Sequence, residues 1–231
     1  CIRDSPNTAG AWATGNNINN PRTKIGGSAT GGFTTAIIMG GEIPGPAGAQ
    51  SVDTETYNGT NWTEVNNLNT KRILSGGAGT QTAALAFGGE ANSNAAELWN
   101  GTNWTSVNSL NTGRRNAAGF GTQTAAICAG GLDPTLAIVE SWNNTCWSEV
   151  NDLNTARSAA KGVGTTTEGL VYGGYTSTNV AVNESWNGTC FSEVADMNTA
   201  RASLGGAGTQ TAALAFNGGP QANVGGAIYT T

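Results

Sequence analysis

The chain has 231 residues, enough for one large domain or two small ones, with 10 basic and 15 acidic side chains, a net charge of -5 and no histidine. Charged residues make up only 11% of it, so no basic surface exists to displace counterions from a phosphate backbone, and nucleic acid is excluded as an expected partner. No run of about 18 apolar residues occurs, which argues against membrane insertion by a helix, and 7 Trp, 5 Phe and 4 Tyr at recurring places supply the burial that a folded core needs.

Residues 1–10 match nothing else in the chain and are expected to lie on the surface or to end a linker; Cys1 leaves open a processed start. From about residue 11 the sequence repeats itself. Arg22, Arg72, Arg114, Arg157 and Arg201 open successive copies at spacings of 50, 42, 43 and 44 residues, the range of propeller blades. A repeat running nearly end to end predicts a single domain over 11–231, with units at about 22–65, 72–107, 114–150, 157–194, and 201–231 joined by 11–15.

The unit opened by Arg72 divides into four extended pieces. Residues 72–78 are glycine-rich, and residues 82–87 are continuously apolar and end in Gly88-Gly89, as a strand buried on both sides would. Residues 95–100 alternate and carry Glu97 and Trp99, and residues 103–107 form the fourth piece. Asn100-Gly101 between them predicts a type I′ hairpin with positive φ at both positions. Asn58-Gly59, Asn143-Asn144 and Asn187-Gly188 repeat it. Tyr57, Trp99, Trp142 and Trp186 precede the turn, and Trp62, Trp104, Trp147 and Phe191 follow it, so the two sets face each other and are expected to fill the space between sheets.

The order Arg, apolar strand, Gly-Gly, loop, Glu-x-Trp, turn, Trp-x-x-Val and Leu-Asn-x-x-Arg resembles the kelch repeat, and the likeness covers residues from about 11 to 231. It implies four-stranded antiparallel blades of an all-β propeller. The Asn-, Gly- and Thr-rich character, with Gly-Thr-Gln-Thr-Ala-Ala in three copies, is also similar to repeats in predicted proteins of marine phages and bacteria. Trp12 stands ten residues before Arg22, as Trp62 does before Arg72, and Tyr229 occupies the place of Trp186. The expectation is therefore a five-bladed propeller whose ring is closed by an N-terminal strand near Trp12 pairing with the C-terminal blade.

Chemistry finds little support. Without histidine, serine–histidine hydrolysis fails, as does a copper site of the galactose oxidase kind. Cys1, Cys128, Cys146 and Cys190 lack Cys-x-x-Cys spacing, so no metal and no other cofactor is expected, and Cys146 and Cys190, at equivalent places in adjacent units, should lie too far apart to bond. Glycoside hydrolysis needs two acids at one unique site, whereas Glu55, Glu97, Glu140 and Glu184 share one repeat position and Glu64, Glu149 and Glu193 another. Repetition marks structure, so the chain is read as a non-enzyme. The repeated arginine is expected to satisfy loop carbonyls or to meet the third-strand glutamate of a neighbouring blade.

Loops joining strands two to three, and those joining strand four to the next blade, must emerge on one face. Asn66, Asn67, Asn69, Asn108, Asn111, Asn151 and Asn154 supply neutral amides there, and the variable loops after Gly-Gly add Asn92, Asp133, Tyr175 and Asn179. A rigid scaffold with variable loops suits recognition. The expectation is an extracellular, cell-surface or virion-borne module binding a glycan or protein surface through that face; the alternative is a structural surface or virion protein that makes assembly contacts.

Overall fold

The computed structural model describes residues 15–28, 34–45, 48–132 and 134–219, and over these the regular structure is all β. In chain order the strands are β1 (Gly26–Gly27), β2 (Ala36–Met39), β3 (Glu42–Ile43), β4 (Ala49–Gln50), β5 (Thr54–Tyr57), β6 (Trp62–Val65), β7 (Gly76–Thr80), β8 (Ala83–Phe87), β9 (Ala96–Trp99), β10 (Trp104–Val107), β11 (Ala118–Gly121), β12 (Ala126–Gly131), β13 (Leu136–Trp142), β14 (Trp147–Val150), β15 (Lys161–Gly164), β16 (Gly169–Tyr172), β17 (Asn183–Trp186), β18 (Phe191–Val194), β19 (Gly205–Gly208) and β20 (Ala213–Phe216). They make four four-stranded antiparallel sheets, β1-β2-β5-β6, β7-β8-β9-β10, β11-β12-β13-β14 and β15-β16-β17-β18, with β3-β4 as an excursion from the first and β19-β20 as a separate pair. The innermost strands β1, β7, β11, β15 and β19 pack one against the next, so the sheets fan out as blades of a β-propeller.

The expected five blades are corrected to four. The unit opened by Arg201 contributes only β19-β20 among the described residues. Each complete blade contains a third-strand glutamate that locks its opening arginine, and the sequence has no acidic residue after Asp196, so Arg201 lacks that lock. The strand near Trp12, its counterpart near Tyr229 and residues 1–10 lie outside the described residues.

Crowding at the axis accounts for the glycine-rich inner strands. A Cβ on Gly77 would stand 2.7 Å from the Gly27 carbonyl oxygen, so neighbouring inner strands touch main chain to main chain. Just before each inner strand, one non-glycine residue adopts positive φ: Lys24 (52°), Leu74 (56°), Asn116 (54°), Ala159 (52°) and Ser203 (54°). Each such residue costs roughly 1–2 kcal/mol. The conformation aligns a relay of main-chain hydrogen bonds from unit to unit: Leu74 N–H to Lys24 C=O, Asn116 to Leu74, Ala159 to Asn116 and Ser203 to Ala159, all 2.9 Å.

Between blades, the third and fourth strands of one unit press their aromatics onto the second strand of the unit before. Trp99 and Trp104, with ring centres 5.4 Å apart, close over Ile37, Met39 and Leu68. Trp142 and Trp147 close over Leu85, Phe87 and Leu110, and Trp186 and Phe191 close over Ile127, Val139 and Leu153. Full burial of such a ring contributes about 2–3 kcal/mol, so each wedge is held chiefly by its aromatic pair. Trp104 also donates from Nε1 to Thr54 Oγ1 at 3.0 Å. Trp147 finds Ala96 at the position of Thr54, and its Nε1 is buried without a partner. The wedge between the fourth blade and β19-β20 is thinner: Val163, Tyr172 and Leu204 are buried, but Leu170, Met197, Ala213 and Ala215 are only partly covered.

The hairpin turns differ from the expected two-residue type. Gly101 has φ 91° but Asn100 is not in the positive-φ region. Instead Asn100 Oδ1 accepts the N–H groups of Thr102 and Asn103 at 2.9 and 2.8 Å, making a four-residue loop built on an Asx turn. Asn58, Asn143 and Asn187 do the same.

Candidate functional site

The face bearing the loops after strands two and four is built outward from the buried arginines. Arg72 donates from Nη1 to the carbonyls of Gly88 and Ala95 at 3.0 and 2.9 Å, and from Nη2 to Glu97 Oε1 at 2.6 Å. Glu97 Oε2 accepts the N–H of Asn69 at 2.7 Å and its Nδ2 at 3.0 Å, while Oε1 accepts the N–H of Thr70 at 3.1 Å. Four donors thus cradle one carboxylate. Glu140 is held identically by Asn111, Thr112 and Arg114, and Glu184 by Asn154, Thr155 and Arg157. Glu55 is held by Asn19, Asn20 and Arg22. The arginine reaches loop carbonyls, as one expectation had it, but its glutamate belongs to its own blade rather than a neighbour's. All four ion pairs are at most 1% exposed, and the hydrogen bonds to carboxylate and terminal guanidinium nitrogens make such buried pairs tolerable, although the Nε atoms of Arg72, Arg114 and Arg157 are buried without a partner.

Each Gly-Gly ties its loop to the following blade. The N–H groups of Gly41, Gly89, Gly131 and Gly174 donate to the carbonyls of Arg72, Arg114, Arg157 and Arg201 at 2.8–3.0 Å. The glycine before each bond has positive φ, and a Cβ on Gly88 would stand 2.5 Å from the Arg114 oxygen. The loop roots are therefore rigid, and their tips differ from blade to blade.

Most of the interblade amides are engaged inside the protein. Besides gripping the glutamates, the Nδ2 groups of Asn69, Asn111 and Asn154 donate to the carbonyls of Trp104, Trp147 and Phe191. Asn66 donates to Asn103 Oδ1, Asn108 to the Thr145 carbonyl and Asn151 to the Thr189 carbonyl, each joining one blade to the next. Asn67 Oδ1 accepts the N–H of Thr54 at 3.3 Å. The outer parts of these residues stay exposed.

The loops after Gly-Gly are less uniform. In 90–94, Ala91 and Asn92 are consecutive positive-φ residues at 58° and 52°, and both are exposed. Arg115 pairs with Glu90 at 2.5 Å, and Lys24 with Glu42 at 2.6 Å, so two blades carry a half-buried ion pair beside the loop. Tyr175 is half-buried, its main chain bridging Ser158 on one side and Asn179 on the other, and Asn179 Nδ2 donates to the Gly219 carbonyl at 2.7 Å. Asp133 and Trp12 lie outside the described residues. Tyr175 is the single aromatic among the described residues of these loops.

Among the described residues no group of three or more Cys, Asp or Glu side chains is placed to hold a metal. Cys128, Cys146 and Cys190 are free thiols. Burial pushes the Cys128 thiol above its ordinary range, against the opposing pull of the Arg114 guanidinium. No family model matches the chain, and no curated protein matches its sequence. What the described residues establish is a β-propeller arrangement of four small antiparallel sheets, with loops of unlike length rooted on one rigid face.

Proposed function

We propose that the chain is a non-enzymatic recognition module of kelch-like repeats, displayed on a cell exterior or virion, that binds a glycan through the loops following Gly-Gly. The observation that carries this reading is the contrast between the four identical arginine–glutamate locks and the loop tips they support. The tips vary in length and carry Asn92 on one loop and, on another, the half-exposed Tyr175 with Asn179 bridged to its main chain. An aromatic face with neutral hydrogen-bonding groups beside it suits an uncharged, hydroxyl-rich ligand.

A glycan array probed with the whole chain tests it. Hits that disappear in Tyr175→Ala, or on replacing residues 90–94 with a glycine–serine loop, support the reading, provided each variant melts like the parent. An array without hits refutes glycan binding. Exposed Ile43, 42% accessible in β3-β4, favours a second reading in which the same face packs against a protein neighbour; an empty array together with ordered self-assembly would select it.

A further inference from the structure

The hairpin turn at the outer end of each blade carries more than its geometry needs. In the second blade it reads Asn100-Gly101-Thr102 and in the third Asn143-Asn144-Thr145. The Asx turn accounts for the asparagine, whose Oδ1 accepts two main-chain N–H groups, and positive φ accounts for Gly101 at 91° and Asn144 at 74°. The fold makes no use of the threonine hydroxyl. Thr102 and Thr145 are exposed, and neither Oγ1 bonds to anything among the described residues. Yet threonine stands at this place in all four complete blades, as Thr60, Thr102, Thr145 and Thr189.

Asn-x-Thr is the acceptor pattern for attachment of a glycan to the asparagine Nδ2, and the two middle blades, each flanked on both sides by a complete sheet, leave that nitrogen within reach. Asn100 and Asn143 are exposed, and their caps engage only Oδ1. Asn100 Nδ2 has no partner among the described residues, and Asn143 Nδ2 has only the Cys146 sulfur at 3.6 Å. The same pattern is shut off elsewhere. Asn183-Glu184-Ser185 lies within β17, where Glu184 is buried in its lock and Asn183 Nδ2 donates to the Ala195 carbonyl at 2.8 Å. In Asn103-Trp104-Thr105 the central ring is buried, and Asn103 Oδ1 is held by Asn66 at 2.8 Å.

We propose that Asn100 and Asn143 are sites of N-glycosylation. The donor is an oligosaccharide carried on a polyprenyl diphosphate. Nδ2 attacks the anomeric carbon, and a C–N bond forms as the bond from that carbon to the diphosphate oxygen breaks. The polyprenyl diphosphate leaves, and the displaced Nδ2 proton passes to a base of the transferase. Successive hairpins of an antiparallel sheet open on alternate faces, so these turns lie opposite the Gly-Gly loops. Glycans placed there leave those loops clear and cover the ends of the unpaired outer strands β10 and β14, edges at which sheets otherwise add to one another.

The test exposes the whole folded chain to a purified oligosaccharyltransferase and a polyprenyl-diphosphate-linked oligosaccharide. Glycans are then mapped by mass spectrometry after enzymatic release in heavy-oxygen water, which marks each site. Occupancy is expected at Asn100 and Asn143, with Asn183 and Asn103 bare. Thr102→Val should abolish occupancy at Asn100 and leave Asn143 occupied, and it should melt like the parent because the hydroxyl it removes has no partner. Bare Asn100 and Asn143 overturn the proposal. Transfer to Asn183 or Asn103 as full as that to Asn100 overturns it equally, and so does unchanged occupancy of Asn100 in Thr102→Val. The glycan array reads binding by the loops on the other face, so the two results are independent.

Discussion

Glu140 and Glu149 face each other directly across the β13-β14 pair, yet their environments are opposite. Glu140 is fully buried and accepts from Asn111 N–H at 2.7 Å, Asn111 Nδ2 at 2.9 Å, Thr112 N–H at 3.1 Å and Arg114 Nη2 at 2.6 Å. Glu149 is exposed. In Glu140→Gln the new amide must turn its NH₂ toward two of those donors, and the buried guanidinium loses its counter-charge. Removing one partner of a buried pair costs about 3–5 kcal/mol. At about 2–4 °C per kcal/mol for a chain of this size, the melting temperature should fall by roughly 6–20 °C. Glu149→Gln should stay within about 0.5 kcal/mol, since it touches only the surface. Calorimetric melts of the two variants and the parent decide the matter, and equal melting temperatures for both variants would refute the lock.

Three further outcomes are expected. Gly88→Ala forces a Cβ to within 2.5 Å of the Arg114 oxygen at φ 67°, so it should lower denaturant stability by about 2 kcal/mol or more; a chevron or equilibrium melt unchanged from the parent would contradict this. Trp104→Phe should cost about 1 kcal/mol more than Trp147→Phe, because only the first gives up a satisfied N–H, and equal losses in urea would show that the Thr54 bond is idle. Burial holds the Lys161 ammonium below its ordinary 10.5. Its charged form is penalised only when folded, so the penalty grows as pH falls below about 10.5 and fades above it. Lys161→Met should then be more stable than the parent at pH 7, and the gap should close as pH approaches 10; a constant gap would refute the assignment.

Periodicity exposed much of the architecture, because each unit repeats the same solution to the same burial problem. The apolar strand before Gly-Gly, the paired aromatics and the Asn-led turn all appear where their spacing put them. Blade number misled because five arginines, with Trp12 and Tyr229 as matching ends, suggest five units, whereas the working unit is arginine with glutamate, and Arg201 has no glutamate after it. Asn69, Asn111 and Asn154 read as surface amides for a ligand, yet they recur in step with Glu97, Glu140 and Glu184 as faithfully as the arginines do. Applying to asparagine the reasoning that repetition marks structure would have found the cradle. Whether an arginine meets the glutamate of its own blade or the next is invisible in a periodic sequence, since both alternatives recur once per repeat. Tyr175, by contrast, breaks the repeat, and that irregularity is what keeps it a candidate for binding.

The carbonyls that fasten Gly41, Gly89, Gly131 and Gly174 belong to the arginine of the next unit, not to their own. As the polypeptide leaves a ribosome, a sheet whose last strand has just emerged is thus still unfastened on one rim, and it becomes secure only when the linker and following arginine have also been made. Maturation must trail synthesis by one linker at every step, and a stalled nascent chain would present a loose, protease-accessible loop only at its newest sheet.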